Sequence, residues 1–138
     1  AKGRGFKKYK TYCKRNGFKN FKTEVEENDI DGFYFIKADG STGLDFKIEK
    51  DNAATSNEDV HVMADDTFVT VAFHYDPNGG QDGAGAFKIF VDDAQVASQL
   101  TLTNAVDDEE LTVSFGIQNG EAAAKTMTID YILASVER

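Results

Sequence analysis

The chain has no tryptophan, one cysteine, one proline, two methionines and two histidines among its 138 residues. Cys13 alone cannot form an internal disulfide, so a packed core rather than a cross-linked framework has to hold the fold, and a reducing compartment suits it. With no Cys, His and Asn arrangement around it, Cys13 reads as a passive thiol. His61 and His74 have no cysteine or carboxylate cluster at ligand spacing, so no metal site and no cofactor is expected. No stretch approaches the roughly 18 apolar residues of a membrane-spanning helix, and no apolar signal-peptide core follows the basic start. No membrane partner is expected. Heptads and fixed-period repeats are also missing, and Glu121 to Lys125 is too short for more than one helical turn.

Hydrophobic residues make up 41% of the chain and include eleven Phe and five Tyr, enough for one packed core. A chain of this length can bury roughly two-thirds of its unfolded surface as one domain. The net charge of -9 is unevenly spread. Residues 1–22 carry nine of the fifteen Lys and Arg and no acidic residue, whereas all 24 acidic residues lie from Thr23 onward. The sequence therefore divides into a basic arm, 1–22, and an acidic domain, 23–138.

Within the arm, cations alternate with Phe6, Tyr9, Tyr12, Phe18 and Phe21. Cations that meet phosphates and aromatics that stack on bases make nucleic acid one partner to consider. The stronger expectation is docking on an acidic surface, of the same chain or of a neighbour, in preference to nucleic acid. The anchoring set is then Arg4, Phe6, Lys7, Lys8, Tyr9, Lys10, Tyr12, Lys14 and Arg15.

Alternation with period two dominates the acidic domain. Phe33 and Phe35 oppose Tyr34 and Ile36; Leu44, Phe46 and Ile48 oppose Asp45, Lys47 and Glu49. Asp51 to Asp59 reads as a polar loop, Val60 and Val62 as a short strand, and Thr67 to Tyr75 as a long strand with Val69, Val71, Phe73 and Tyr75 inward. Phe87, Ile89 and Val91, a break at Asp92-Asp93, and then Ala94 to Ala97 form a β-hairpin pattern. The most regular alternation is Leu111, Val113, Phe115 and Ile117, expected to pair with a strand over Lys125 to Val136. Turn signals every eight to twelve residues predict an all-β, antiparallel β-sandwich. Tyr34, Ile36, Phe68, Phe90 and Ile132 are left over as outward apolar groups, which suggests protein contacts.

Two stretches invite chemistry. Glu27, Asp29 and Asp31 at spacing two would present carboxylates on one strand face, as glycoside hydrolysis requires, but the stretch is polar and ends in Asp31-Gly32, and a solvated loop is the favoured reading. Asp76, Asn78 and Asp82 in the glycine-rich run DPNGGQDGAG offer oxygen ligands of the kind calcium prefers. Their spacing lacks the glycine and terminal glutamate of an EF-hand, and a flexible hairpin loop is the favoured reading.

The segments 64–69 (ADDTFV), 72–77 (AFHYDP), 87–98 (FKIFVDDAQVAS) and 107–132 (DDEELTVSFGIQNGEAAAKTMTIDYI), together with 32–40 (GFYFIKADG), resemble concanavalin- or laminin-G-like jelly-roll domains. The resemblance is to those of tailed-bacteriophage structural proteins and covers residues 32 to 136. It implies a non-enzymatic virion component on the capsid exterior, a decoration or cement protein bound to the major capsid protein. It carries over no catalytic residue. Such domains have further strands before the 32–40 position. Here a basic arm stands instead, so the sandwich is expected to be incomplete, to be completed by a neighbouring subunit, or to reflect processing. Exposed edges would favour a homo-oligomer such as a trimer. The alternative function is a carbohydrate-binding, lectin-like module with a glycan partner, for which Tyr34, Tyr75, Asn78 and Gln118 are the candidates.

Overall fold

A computed structural model describes residues 12–13, 31–38, 40–80, 83–99, 101–106, 111–117, 122, 124 and 126–136. The described residues form strands β1 (Tyr12–Cys13), β2 (Gly32–Ile36), β3 (Gly43–Lys50), β4 (Ala53–Val62), β5 (Val71–Asp76), β6 (Ala86–Val91), β7 (Ala94–Gln99) and β8 (Val113–Ser114). The architecture is all-β. Strands β2-β3-β4 make one antiparallel sheet and β5-β6-β7 a second, each a meander in which chain neighbours are sheet neighbours. A third, two-stranded pairing joins β1 to β8.

The pleat decides which side chains meet. On β3, Leu44, Phe46 and Ile48 are buried, and on β6 Phe87, Ile89 and Val91 are buried, as strict alternation requires. These two central strands face each other, and aromatic rings fill the space between the sheets. Phe33 lies 4.6 Å from Phe87, Phe46 lies 5.2 Å from Phe73 and 5.6 Å from Phe87, and Phe35 lies 5.3 Å from Phe46. These separations and their tilted or edge-on geometries are those that aromatic pairs favour.

The hairpins close with acidic turns. Asp92 and Asp93 have φ of 47° and 68°, and Asp51 and Asn52 have φ of 52° and 62°. Positive φ at both central residues is the two-residue turn whose twist matches the flanking strands, and Asp and Asn tolerate it better than other side-chain-bearing residues. Asp92 does more than turn: its carboxylate accepts the Thr70 N–H at 2.9 Å, and its own N–H donates to the Thr70 carbonyl at 2.8 Å.

Several sequence expectations are corrected. Asp51 to Asp59 is no loop; Asp51-Asn52 turns the chain directly into the ten-residue β4. Its sequence is polar because its inward positions Thr55 and Asn57, opposite Ile48 and Phe46, meet polar partners at the rim of the core. The ladder of β4 is broken by a bulge opposite Leu44 and Phe46, where Asp59 has φ of 51° and donates its N–H to the Asp45 carboxylate. The Asp59 carboxylate lies over Gly43, where a Cβ would come within 1.6 Å of it, so any larger residue at 43 would have to push the Asp59 side chain aside. The strand expected over Thr67 to Tyr75 begins only at Val71, because Thr70 is tied to Asp92. Tyr75, expected inward, is 45% exposed, though its ring rests on Phe87. Among the described residues 111–117 of the expected strand only Val113–Ser114 pairs, and its partner is β1 rather than the 125–136 segment, whose described residues join no ladder.

Two stability measurements test this core and its turns. Phe46→Ala, at a site with no exposure and rings on several sides, should cost about 3–5 kcal/mol in urea unfolding, whereas Phe68→Ala, 71% exposed, should change stability by no more than about 0.5 kcal/mol. Asp93→Gly should stabilise by up to about 1 kcal/mol by relieving the left-handed backbone, while Asp92→Gly should destabilise because it loses the Thr70 contact.

Candidate functional site

The loop end of the second sheet holds the densest polar geometry. Asp76 at the end of β5 uses both carboxylate oxygens: one accepts the Asn78 N–H at 3.0 Å, the other the Lys88 ammonium at 2.8 Å. Its carbonyl accepts the Gly79 N–H at 3.0 Å, and Gly85 N–H closes the loop on the Gly79 carbonyl at 2.8 Å. Lys88 stands directly opposite His74 and beside Asp76 on the outward face of the β5–β6 pair. The Lys88 hydrogen bond, the Asn78 N–H and the nearby positive charge hold the Asp76 carboxyl below the usual carboxylate range. Its side chain is a loop clamp, with both oxygens already engaged. Tyr75 and Asn78 are both exposed here, and Gly85, with φ of 91°, lets the Tyr75 hydroxyl approach the backbone to a distance at which a Cβ would collide. Asp82 lies outside the described residues. Among the described residues no group of three His, Cys, Asp or Glu side chains stands close enough to hold a metal ion.

Tyr34 is placed elsewhere. It is 3% exposed on the face of β2 turned away from the aromatic core, and its hydroxyl donates to the Glu49 carboxylate, itself 4% exposed. Tyr34 and Glu49 share that face because Tyr34 pairs with Lys47 and Glu49 lies two residues further along β3. A buried phenol has no face to offer a sugar ring. Gln118 lies outside the described residues, so of the four glycan candidates the structure brings only Tyr75 and Asn78 to one end. Of the three proposed carboxylates, Glu27 and Asp29 lie outside the described residues, and Asp31 is buried and accepts the Asp51 N–H at 2.8 Å. The anchoring residues of the arm also lie outside them, except that the backbone of Tyr12 is placed in β1. His61 and His74 sit on different sheets.

Two features were not anticipated. At the rim between the sheets, Asn57 Nδ2 donates to Gln99 Oε1 at 2.5 Å, Gln99 Nε2 donates to the Thr101 carbonyl at 2.9 Å, and Asn104 Nδ2 donates to Thr55 Oγ1 at 2.8 Å. Gln99 is opposite Phe87 and Asn57 opposite Phe46, so this amide clasp bridges the inner faces of β4 and β7. The signal in the sequence was polar residues at inward-facing alternation, which is easily mistaken for a loop. The second feature is a set of exposed apolar side chains in the C-terminal part of the sequence: Leu111, Val113, Phe115, Ile117, Tyr131 and Leu133 are each 43–49% exposed, and Val136 is 87% exposed. Large apolar side chains exposed at alternate positions are the mark of an interaction face rather than of scattered surface.

No family model matches the chain, and neither a curated protein nor a solved structure matches it.

The Asp76 clamp gives a pH prediction. A carboxyl whose pKa is lowered on folding adds stability above its unfolded value, here 3.8, and that stability is lost as pH falls through the lower folded value. Asp76→Asn should therefore flatten the stability profile below about pH 4 and leave only a small change at pH 7, since the pair is exposed and screened by salt. Urea midpoints of both proteins from pH 2.5 to 7 measure it; parallel profiles would remove the clamp.

Proposed function

We propose that the protein is a non-enzymatic structural protein that binds the outside of a virus shell and holds it together through protein–protein contacts, in the manner of a capsid decoration or cement protein. The observation that carries this reading is the exposed, alternating apolar set Leu111, Val113, Phe115 and Ile117, with Tyr131 and Leu133 exposed nearby in sequence. A protein that functions alone has little use for such a surface, whereas one that spends its life docked needs it. The acidic character of 23–138 supports a role that projects into solvent, and the cations of the arm provide attraction toward acidic neighbours. Repeated across a shell, many modest contacts of this kind add up through avidity.

The fold proposed for it is the concanavalin-like jelly roll. What supports it is a pair of antiparallel sheets packed over an aromatic interior and one long-range pairing, residues 12–13 with 113–114; each three-stranded sheet is by itself a meander. The partners proposed are the major capsid protein and further copies of the same chain.

Phe115→Asp and Ile117→Asp test the reading, because half-exposed positions tolerate a charge without loss of the core. Co-sedimentation with heads of the virus that encodes the protein should weaken by at least about tenfold for each, roughly 1.4 kcal/mol or more. Unfolding midpoints should stay near the parent value. Unchanged co-sedimentation of both variants would overturn the docking role of this face. Light scattering at low and high salt adds the oligomeric state: a salt-resistant oligomer is expected, and a stable monomer would count against self-association.

A further inference from the structure

The loop that follows β5 contains a residue pair whose chemistry the fold restrains. Asn78 is followed by Gly79, the neighbour that least hinders attack of the next backbone nitrogen on an asparagine side chain. The Gly79 N–H donates to the Asp76 carbonyl at 3.0 Å, so residues 76–79 form a β-turn with Pro77 and Asn78 at its centre. Neither central residue has a positive φ, which makes the turn type I. The ψ of the second central residue is then about 0°, which eclipses the Gly79 nitrogen with the Asn78 nitrogen and sets it about 120° away from the Asn78 Cβ. Bond formation between the Gly79 nitrogen and Asn78 Cγ requires the other arrangement, with that nitrogen and Cβ eclipsed. The turn therefore holds the two reacting atoms apart. It is fastened by the Asp76 carboxylate, which accepts the Asn78 N–H at 3.0 Å and the Lys88 ammonium at 2.8 Å, and by the Gly79 carbonyl, which accepts the Gly85 N–H at 2.8 Å.

We propose that Asn78 is a site of spontaneous conversion to aspartate and isoaspartate, and that the Asp76 clamp sets the rate by keeping the turn closed. In the reaction the Gly79 amide gives its proton to hydroxide and its nitrogen bonds to Asn78 Cγ. Nδ2 takes a proton from water and leaves as ammonia, which closes a succinimide ring. Water then adds to either ring carbonyl and opens it. One product is aspartate in the ordinary backbone; the other is isoaspartate, whose backbone runs through the former side chain and is longer by a methylene. Solvent supplies every proton transfer, and Asn78 is exposed to it. The contribution of the fold is restraint: ring closure turns ψ of Asn78 by about 120°, so the Gly79 N–H must leave the Asp76 carbonyl and the Gly79 carbonyl must swing away from Gly85. The same turn explains why the pair is there. Type I turns favour glycine at their last position, and a Cβ on Gly79 would lie 3.1 Å from that of Ala86 and 3.2 Å from the Asp76 carbonyl oxygen. Glycine suits the turn, and the reactive pair comes with it. Conversion runs one way, because the longer backbone of isoaspartate does not rebuild the turn, and the loop beside Tyr75 stays open. The inference goes beyond the proposed function and stands whether or not that reading holds.

The test incubates the full chain in mildly alkaline buffer and follows the peptide that carries residue 78, with its aspartate and isoaspartate forms separated and identified by mass and fragmentation. The same chain unfolded in urea gives the unrestrained rate. The folded parent should convert at least about tenfold more slowly, as expected when one charge-assisted and two neutral hydrogen bonds hold the turn. Asp76→Ala keeps the backbone carbonyl and removes the clamp, and should raise the rate in the folded chain by about tenfold. Asp92→Gly loosens the fold just past the other end of β6 and should leave the rate at Asn78 within about twofold of the parent, which separates local opening from global unfolding. In converted protein the Gly79 and Gly85 amides, hydrogen-bonded in the parent, should exchange with solvent at least about tenfold faster. A folded parent that converts as fast as the unfolded chain, an Asp76→Ala rate equal to the parent's, equal acceleration by Asp92→Gly, or undiminished protection of both amides after conversion would each overturn the proposal.

Discussion

The contact on which the rest of the structure depends is the meeting of Phe46 with Phe73 and Phe87 across the gap between the sheets. Among the described residues neither of the two packed sheets has more than three strands, and a three-stranded sheet with a bare apolar face is marginal in water. Each becomes stable only by covering the other. With no tryptophan in the chain, phenylalanine supplies the large rings: Phe33 and Phe35 at the edge strand extend the cluster beyond the central Phe46, and aliphatic side chains such as Ile48 and Ile89 fill what the rings leave. Because rings pack by angle as well as area, the cluster fixes how the sheets lie on one another, and the polar rim follows from it. Where the rings end, Asn57 donates to Gln99 and Gln99 donates to the Thr101 carbonyl, so the edge of the interior is closed by hydrogen bonds in place of apolar packing.

Much of this was legible in the residues. The hairpin of Phe87 to Ser98 reads correctly because both signals agree: strict alternation on either side and two consecutive aspartates between. Gly32 to Ile36 and Gly43 to Lys50 read equally well, since a central or core-covering strand must be apolar at every second position. Strand β4 did not, because a strand whose inner face meets amides carries Thr55 and Asn57 at the positions where a core strand carries Ile or Phe, and such composition also belongs to loops. The opposite error came at 111–117, where perfect alternation describes a strand's preference but not its neighbour. Only a partner with free backbone groups turns alternation into a ladder.

The candidate site was less legible, for a related reason. Tyr34 looks like an exposed aromatic because it alternates with the core phenylalanines, yet it is buried against Glu49 on the other face of the same sheet. Period two separates two faces; it does not say which of them is wet. Asp76 and Asn78 were rightly read as turn chemistry, since the side chain of one holds the backbone of the other. What the residues could not convey was that Lys88, twelve positions later, completes that clamp from the neighbouring strand.

The two meanders have a consequence for how the chain comes together. Each three-stranded sheet is woven from one uninterrupted stretch, 32–62 or 71–99, so all of its ladder contacts are local and form at small loop-closure cost. Among the described residues, only the docking of the sheets and the tie between β1 and β8 wait for distant parts of the chain to meet. During synthesis the first sheet can therefore assemble while the second is still being made. The emerging chain would hold its phenylalanine face open until β6 arrives, the interval in which it is most exposed to pairing with other molecules.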